Sequence, residues 1–506
     1  MSIARAAARG AAWSAGGTWI QLVTALVTLG LVARILGPEP FGLTALAWIV
    51  VGLGEVLLVG ALTESLIQRD RIEAGHRDAI FWLLQAIAFG FLGLTVAGSG
   101  LFAAAVGAPA VGPVLAVSAC VLPIAAAYAV PEAILMREMR VRAVVLAGNA
   151  GGILGSLAAI ALAVAGAGVW SLVAMQIVSQ AVRTIGVMAA ARWRPGFAGR
   201  RRHLGDLFAF NIRVAAAQVA GYAERAAPRA VIGVMLGTEA LGLFSLALRL
   251  QDYLHTAVVQ PMARIAMPAV SRARGDAAGL RRLMAGAIGL CGAVSFPVFL
   301  GFAAVAPVAI PLVFGPQWTA AVVPAQLLAI VGLRRGMTAF NGAILRGTGY
   351  PGRQLVLTAT SLALTLVLTP PAALIGVNAV VAAIVLRAFL TLPMSNWFVA
   401  RTTGFGLRDQ LAVNAPPMVA ALVMAALVSA GIAAGRGALA EPVLLALAVA
   451  GGAALYAGLL PALSPDLRRL IGRARAAGAL ARPKAWPGLL GGGEPAGGEP
   501  AGTAGR

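Results

Sequence analysis

Charge is scarce in this chain, and acid is scarcer than base. Only 11% of its 506 residues are charged, with 39 Lys and Arg against 18 Asp and Glu, a formal net charge of +21. Lysine is nearly absent (Lys484 alone), so the positive charge is arginine. Cysteine is limited to Cys120 and Cys291, both inside apolar runs without metal or redox spacing, where they read as small core hydrophobes. No HExxH, GxSxG, Walker A or dinucleotide-binding pattern occurs in a credible setting, so no cofactor or metal is expected. The lack of an ATP-binding segment excludes self-contained primary transport.

Apolar length is what the chain has in abundance. It is 60% hydrophobic, with a mean hydropathy of +0.89. No soluble globular class has this composition, and repeated apolar runs of about 20 residues mean a polytopic membrane protein. In a soluble protein a charge of +21 would suggest nucleic acid. Here it reads as loops pinned to one face of a membrane, and no nucleic-acid partner is expected. The spans must be helical, because open sheet edges do not survive in lipid. Fourteen are predicted, over 12–33, 41–66, 79–106, 112–136, 143–165, 168–191, 208–236, 240–268, 283–314, 319–345, 354–372, 374–400, 410–431 and 441–461. Met1–Gly10, with Arg5 and Arg9 before a long apolar run, reads as the start of an uncleaved first span rather than a signal peptide.

The arginines orient these spans. With the N-terminus in the cytoplasm, 28 of the 39 basic residues fall in cytoplasmic loops and termini, and the opposite loops hold only Arg34 and Arg436. That asymmetry follows the positive-inside rule and places both ends in the cytoplasm. The opposite loops are short, about four to ten residues. A membrane glycosyltransferase or polymerase would need a larger loop carrying carboxylates there, so an enzyme is not expected.

A repeat lies at an offset of 200 residues: ILGPEPFGLTALA at 35–47 and MLGTEALGLFSLA at 235–247. Both copies fall in the turn after an odd-numbered span, and six spans separate them, so the copies run parallel. Gly37 and Gly237 suit the position just past a helix end, and Glu39 and Glu239 suit the first turn of the next helix. The expected architecture is all-α, with two parallel six-helix lobes around a central cavity plus two C-terminal helices. The domains are then 1–191 (first lobe), 192–207 (basic cytoplasmic linker), 208–409 (second lobe), 410–465 (spans 13 and 14) and 466–506 (tail). The tail opens with a basic amphipathic piece at 466–480, suited to an anionic inner leaflet, and ends Gly/Pro-rich and disordered.

Residues 208–266 break the apolar pattern. In span 7, Asn211, Gln218, Tyr222, Arg225 and Arg229 fall within roughly 60° of arc on a helix. Span 8 places Arg249, Asp252 and Thr256 at helical spacing. A cation at bilayer depth costs about 2.5–3.5 kcal/mol on insertion scales, so it normally faces a bundle interior or a wet cavity. Nine arginines lie inside spans against five acids, which favours a path for an anion over one for a cation. The mid-depth charges are Arg225, Arg249, Asp252, Arg334, Arg335, Arg387 and Glu55. Arg225 and Arg229, like charges at i,i+4, need an anion or acid between them. Arg249 and Asp252 read either as a private ion pair or as functional groups. Arg334 and Arg335 are adjacent, so only one is expected to face the cavity. Arg183, Arg213 and Arg264 lie near cytoplasmic ends and are expected to snorkel outward, with Glu64 and Glu132 pairing to loop arginines. Glu224 points about 140° from Arg229, toward another groove. Pro297, Pro307 and Pro311 interrupt span 9, as hinges or as packing kinks.

Three passages carry a family resemblance: ARILGPEPFGLTALA with ESLIQRDRIEAGHRDAIFW (33–82), GAGVWSLVAMQIVSQAVRTIGVMAAARWRPGF (166–197) and FPVFLGFAAVAPVAIPLVFGPQWTAAVVPAQLLAIVGL (296–333). Together they resemble the Wzx-type exporters, the polysaccharide branch of the multidrug/oligosaccharidyl-lipid/polysaccharide exporter superfamily. The resemblance covers most of 10–400 and little of the last 100 residues. It implies a flippase that moves undecaprenyl-diphosphate-linked oligosaccharide across the bacterial inner membrane by alternating access. It also implies a polysaccharide polymerase and a chain-length regulator as candidate partners. On that reading Arg225, Arg229, Arg249 and Arg387, with Tyr222 and Gln218, bind the diphosphate headgroup, and Asp252 and Glu55 are the candidate coupling residues. A lipid II flippase and a cation-coupled multidrug exporter are the alternatives. The counterparts of the stripe in span 1, Thr18, Leu22, Ala25 and Leu29, are uncharged, so the cationic face is expected in the second lobe alone.

Overall fold

The computed structural model describes residues 3–60, 74–197, 201–272, 277–347 and 351–463. The chain is a helical bundle, and among the described residues twelve helices are long and apolar enough to cross a membrane. Two more helices have the length but carry the charges of residues 208–266. The first six spans are α1 (Ile3–Leu36), α2 (Pro38–Glu55, continued by a π-helical turn at Val56–Gly60), α3 (Ala74–Val106), the broken pair α4 (Val111–Ser118) and α5 (Val121–Arg137), α6 (Val141–Val164) and α7 (Val169–Ala191). The next six are α8 (Arg201–Met235), α9 (Gly237–Arg272), α10 (Ala277–Phe314), α11 (Val322–Met337) with α12 (Asn341–Gly347), α13 (Pro351–Ala373), and α14 (Val377–Leu390) with α15 (Leu392–Thr403). Finally come α16 (Leu407–Gly435) and α17 (Glu441–Leu463). Helix α8 starts inside the stretch expected to be a linker, and Glu64 and the basic piece 466–480 lie outside the described residues.

Lipid is the solvent for this bundle. Leu94, Leu101, Val164, Ile185, Val367 and Ile375 all project from outer faces more than half exposed. A continuous apolar face of this kind marks an interaction surface in water, whereas in a bilayer it is matched. The helices bond most of their backbone internally, as the hydrocarbon requires.

The repeat builds the contact between the lobes. Gly37 (φ 73°) and Gly237 (φ 87°) follow α1 and α8 with positive φ, and Glu39 and Glu239 sit in the first turns of α2 and α9. The two copies then pack on each other. A Cβ on Gly42 would run into the carbonyl oxygen of Thr238, and one on Gly242 into that of Pro38. The contact is reciprocal, as a two-fold relation between the copies demands. Around it, Arg34 Nη1 donates to Leu312 O (3.0 Å), Gln317 Nε2 to Arg34 O (2.9 Å) and Trp318 Nε1 to Ala33 O (2.9 Å). Phe41 meets the buried Trp318 edge to face, with centroids 5.3 Å apart. One core cluster runs from Leu29 to Ala388 through both lobes; a second joins α9–α12 to α15–α17.

Helix α10 is continuous for 38 residues in spite of its three prolines. Proline removes the N–H that would bond the carbonyl four residues earlier. Two of those orphaned carbonyls are taken by other helices: Tyr456 Oη of α17 donates to Ala293 O (2.7 Å), four residues before Pro297, and Gln326 Nε2 of α11 donates to Ala303 O (2.9 Å), four before Pro307. Leu312 O, four before Pro316, accepts from Arg34 in the same way. Proline inside the span therefore serves interhelical bonding rather than a break. Helices α11 and α17 are thus tied to α10, and Arg281 Nη2 to Asp409 Oδ1 (2.6 Å) adds an exposed tie to α16.

Candidate functional site

The polar stripe of α8 faces the first lobe. Helix α8 continues through Pro228, so Gln218, Tyr222, Arg225 and Arg229 stay on one face. The side chain of Asn211 lies outside the described residues, as do those of Arg213 and Arg264. Tyr222 Oη shares its proton between the carbonyls of Trp48 (2.8 Å) and Ile49 (2.9 Å) on α2, and its ring occupies the space where Gly52 lacks a side chain. Arg225 is exposed, and Gln218 and Arg229 are half-buried. Arg229 lies within electrostatic range of Tyr222, Arg249, Asp252 and Arg225.

Arg249 on α9 also turns toward the first lobe. Its guanidinium carbon lies 5.7 Å from the Phe41 ring centroid. With Tyr253 it lines a cavity of about 160 Å³ whose other wall includes Thr28, Gln176 and Ser179 of α1 and α7. Asp252 does not bond Arg249. Its Oδ1 takes Arg335 Nη1 of α11 at 2.9 Å, so the i,i+3 spacing on α9 was a coincidence of period. His255 is within electrostatic range of the same Arg335 and Asp252, and its Nδ1 is buried without a hydrogen-bond partner. The resulting face presents Tyr222, Arg225, Arg229 and Arg249 from two adjoining helices, with Asp252 held back by Arg335.

Arg387 stands apart from that face. Its Nη1 bonds Glu224 Oε1 (2.9 Å) and Thr365 Oγ1 (3.1 Å) in the interior of the second lobe. Helical geometry explains the separation, since Glu224 projects from the side of α8 that faces away from the stripe. Arg334 joins this second group, donating from Nη2 to Thr391 Oγ1 (3.2 Å). The adjacent arginines are thus both used, one toward each group.

The first lobe has a cluster of its own. Tyr128 Oη, Glu132 Oε1 and Arg183 Nη2 meet within 2.5 Å (Tyr–Glu), 2.5 Å (Arg–Tyr) and 3.7 Å (Arg–Glu). Arg183 therefore turns inward over the Tyr128 ring, 4.0 Å from its centroid, rather than out to the headgroups. Glu132 pairs with this span arginine and not with a loop one. Glu55, half-buried on α2, lies within electrostatic range of Arg183, and Tyr222 within range of Glu55. Sequence reasoning missed this triad because Tyr128 and Arg183 are 55 residues apart and share no period. Among the described residues, no group of three His, Cys, Asp or Glu side chains comes together to hold a metal.

The chain is similar to known proteins over most of its length. The chain is 27% identical over 434 residues to the succinoglycan biosynthesis transport protein ExoT of Rhizobium meliloti (strain 1021), covering 84% of this chain and 86% of that one. It is 26% identical over 360 residues to the lipopolysaccharide biosynthesis protein WzxC of Escherichia coli (strain K12), covering 68% and 70%. Its fold superposes on the lipid II flippase MurJ in an inward closed conformation with a TM-score of 0.72 at 12% identity, over 89% of this chain and 98% of that one. The polysaccharide biosynthesis protein family model matches residues 31–323, more than half the chain, and the protein belongs to that family.

Proposed function

We propose that this protein is a flippase that carries a polyprenyl-diphosphate-linked oligosaccharide across the cytoplasmic membrane by alternating access, for exopolysaccharide, capsule or O-antigen assembly. The observation that carries this reading is the face of Tyr222, Arg225, Arg229 and Arg249, presented by the second lobe to the first. A diphosphate brings negative charge into a low-dielectric space, and guanidinium groups can fork to it bidentately. The names of the polysaccharide-export relatives support the same substrate class. The protein's part is binding and movement, with no chemistry on the glycan; a polymerase and a chain-length regulator would act on what it delivers.

Orientation rests on the arginine distribution. On that orientation the reciprocal glycine contact would lie at the outer end and close the protein to the outside in this conformation. The substrate would enter from the cytoplasmic side, and outward opening would require the contacts around Gly42 and Gly242 to part. Glu55 and Asp252 are the candidate coupling residues. Asp252 is bound to Arg335, so a proton taken up there would free that arginine.

Transport of a fluorescent undecaprenyl-diphosphate oligosaccharide in proteoliposomes, under an imposed proton or sodium gradient, tests the activity directly. Retention of the label in the original leaflet under both gradients would overturn the reading. The fold likeness to a lipid II flippase favours a second substrate with the same diphosphate, and competition by lipid II in that assay separates the two. The cationic face argues against a cation-coupled drug exporter.

A further inference from the structure

The second lobe holds a half-open polar cavity of about 200 Å³ among α8, α11, α12, α13, α14 and α15, lined in part by Glu224, Arg334 and Arg387. Its charges do not balance. Two guanidinium groups meet one carboxylate, and that carboxylate is bonded to Arg387. Arg335 next door cannot contribute an acid, because its partner Asp252 is already engaged. The Nε donors of Arg334 and Arg387 are both buried without a hydrogen-bond partner. Buried donors left unpaired are costly, and so is a surplus cation away from bulk water. Two hydroxyls serve only the terminal nitrogens, Thr391 Oγ1 accepting from Arg334 Nη2 and Thr365 Oγ1 from Arg387 Nη1. Thr338 donates to Arg334 O (3.0 Å) and Thr358 to Gln354 O (3.1 Å), so their protons point into helix backbone, and the guanidiniums are the charged donors of the cavity wall.

We propose that this cavity binds one small monovalent anion, seated between the guanidinium groups of Arg334 and Arg387. A cation is disfavoured by the charge surplus. A single water takes about 30 Å³ in the liquid, so there is room for an anion with part of its hydration shell. The same chemistry has two sources: a free halide, or a carboxylate borne by a sugar that reaches the pocket. The bound anion would tie α11 to α14 inside one lobe, at a site separate from the face of Arg225, Arg229 and Arg249. The proposal does not depend on what that face carries.

The test is thermal unfolding of the purified full chain in detergent, titrated with sodium chloride, sodium acetate or sodium glucuronate against a sulfate reference of equal ionic strength. A saturable rise in melting temperature of a few degrees is expected, by linkage to a ligand that binds only the folded state. Response to chloride identifies the halide as the source, and response to the carboxylates alone identifies the sugar. Arg334→Gln should abolish the response, while Arg225→Ala, outside the cavity, should retain it. Should Arg334→Gln fail to fold, Glu224→Gln gives a result of opposite sign: removing the competing carboxylate should tighten the anion about tenfold. The proposal is overturned if none of these anions gives a saturable shift in the wild type, if the shift persists in Arg334→Gln, or if Glu224→Gln weakens it.

Discussion

Helices α2 and α9 begin on nearly the same peptide and end in different chemistry. The repeat gives both the same Glu (Glu39 and Glu239) and Gly (Gly42 and Gly242) in and just after their first turns, and each presses that glycine against the other's backbone. Past the shared segment they diverge. Ile49, Gly52 and Glu55 in the first copy stand where Arg249, Asp252 and His255 stand in the second. The preceding helices differ likewise, with Leu22, Ala25 and Leu29 against Tyr222, Arg225 and Arg229. The difference teaches that packing at the lobe contact is a property of both copies, while the cationic surface is a property of one. Even the empty position has a use: Gly52, the counterpart of Asp252, is the space into which the Tyr222 ring fits.

The strongest way to break this comparison is to erase the charge of the second copy. Arg225→Ala with Arg229→Ala should lower surface polysaccharide at least a hundredfold in a complemented deletion strain, with membrane expression held constant by immunoblot. Each lost charge-assisted bond is worth about 1.5–3 kcal/mol. Normal polysaccharide in the double variant would mean the asymmetry has no role in transport.

Next in size is the pair that holds the second lobe together internally. Glu224→Gln or Arg387→Gln alone should destabilise the protein by about 3 kcal/mol, the lower end for a broken buried ion pair. The lower end applies because the side chains keep 15% (Arg387) and 25% (Glu224) of their exposure. The double variant should lose less than the two singles combined, and additivity in a denaturation cycle would show that the pair is not coupled.

The glycine contact sharpens the symmetric side of the comparison. Gly42→Val and Gly242→Val should each cost about 1–3 kcal/mol by overpacking. Because the contact is reciprocal, the two losses should be alike in melting temperature. A large inequality would show that the copies do not share the load. Smallest is Tyr456→Phe, which leaves Ala293 O unpaired beside Pro297 and should cost about 1 kcal/mol. Faster amide exchange around Pro297 is the accompanying signature; unchanged exchange would show that water or a backbone shift replaces the hydroxyl.

Much of the fold was legible beforehand because its signals are local. An apolar run of sufficient length, a glycine past a helix end and an arginine count per loop need only neighbouring residues. The span edges moved by several residues, and spans 4, 10 and 12 turned out to be broken at Ala119–Cys120, Thr338–Phe340 and Thr391; Pro123 and Pro393 follow the first and last of these breaks, while none stands at the middle one. For the candidate site, spacing found the stripe on α8 and the opposite aim of Glu224. It offered the wrong partner for Asp252 and grouped Arg387 with the headgroup face. Nothing in the sequence near Thr365 or Tyr128 announces a role.

The sequence by itself determined a helical membrane protein of fourteen spans, its internal repeat, and the confinement of the cationic stripe to the second lobe. Composition and period are enough for these, since lipid rewards apolar length and a helix places residues at about 100° steps. Only the tertiary structure decided which charge meets which: Asp252 with Arg335, Glu224 with Arg387, and Glu132 with Arg183. It also decided that the carbonyls freed by Pro297 and Pro307 are taken up by Tyr456 and Gln326. Partner choice depends on the rotation and separation of helices distant in sequence. Those are set by how every other helix packs, and no local pattern records them.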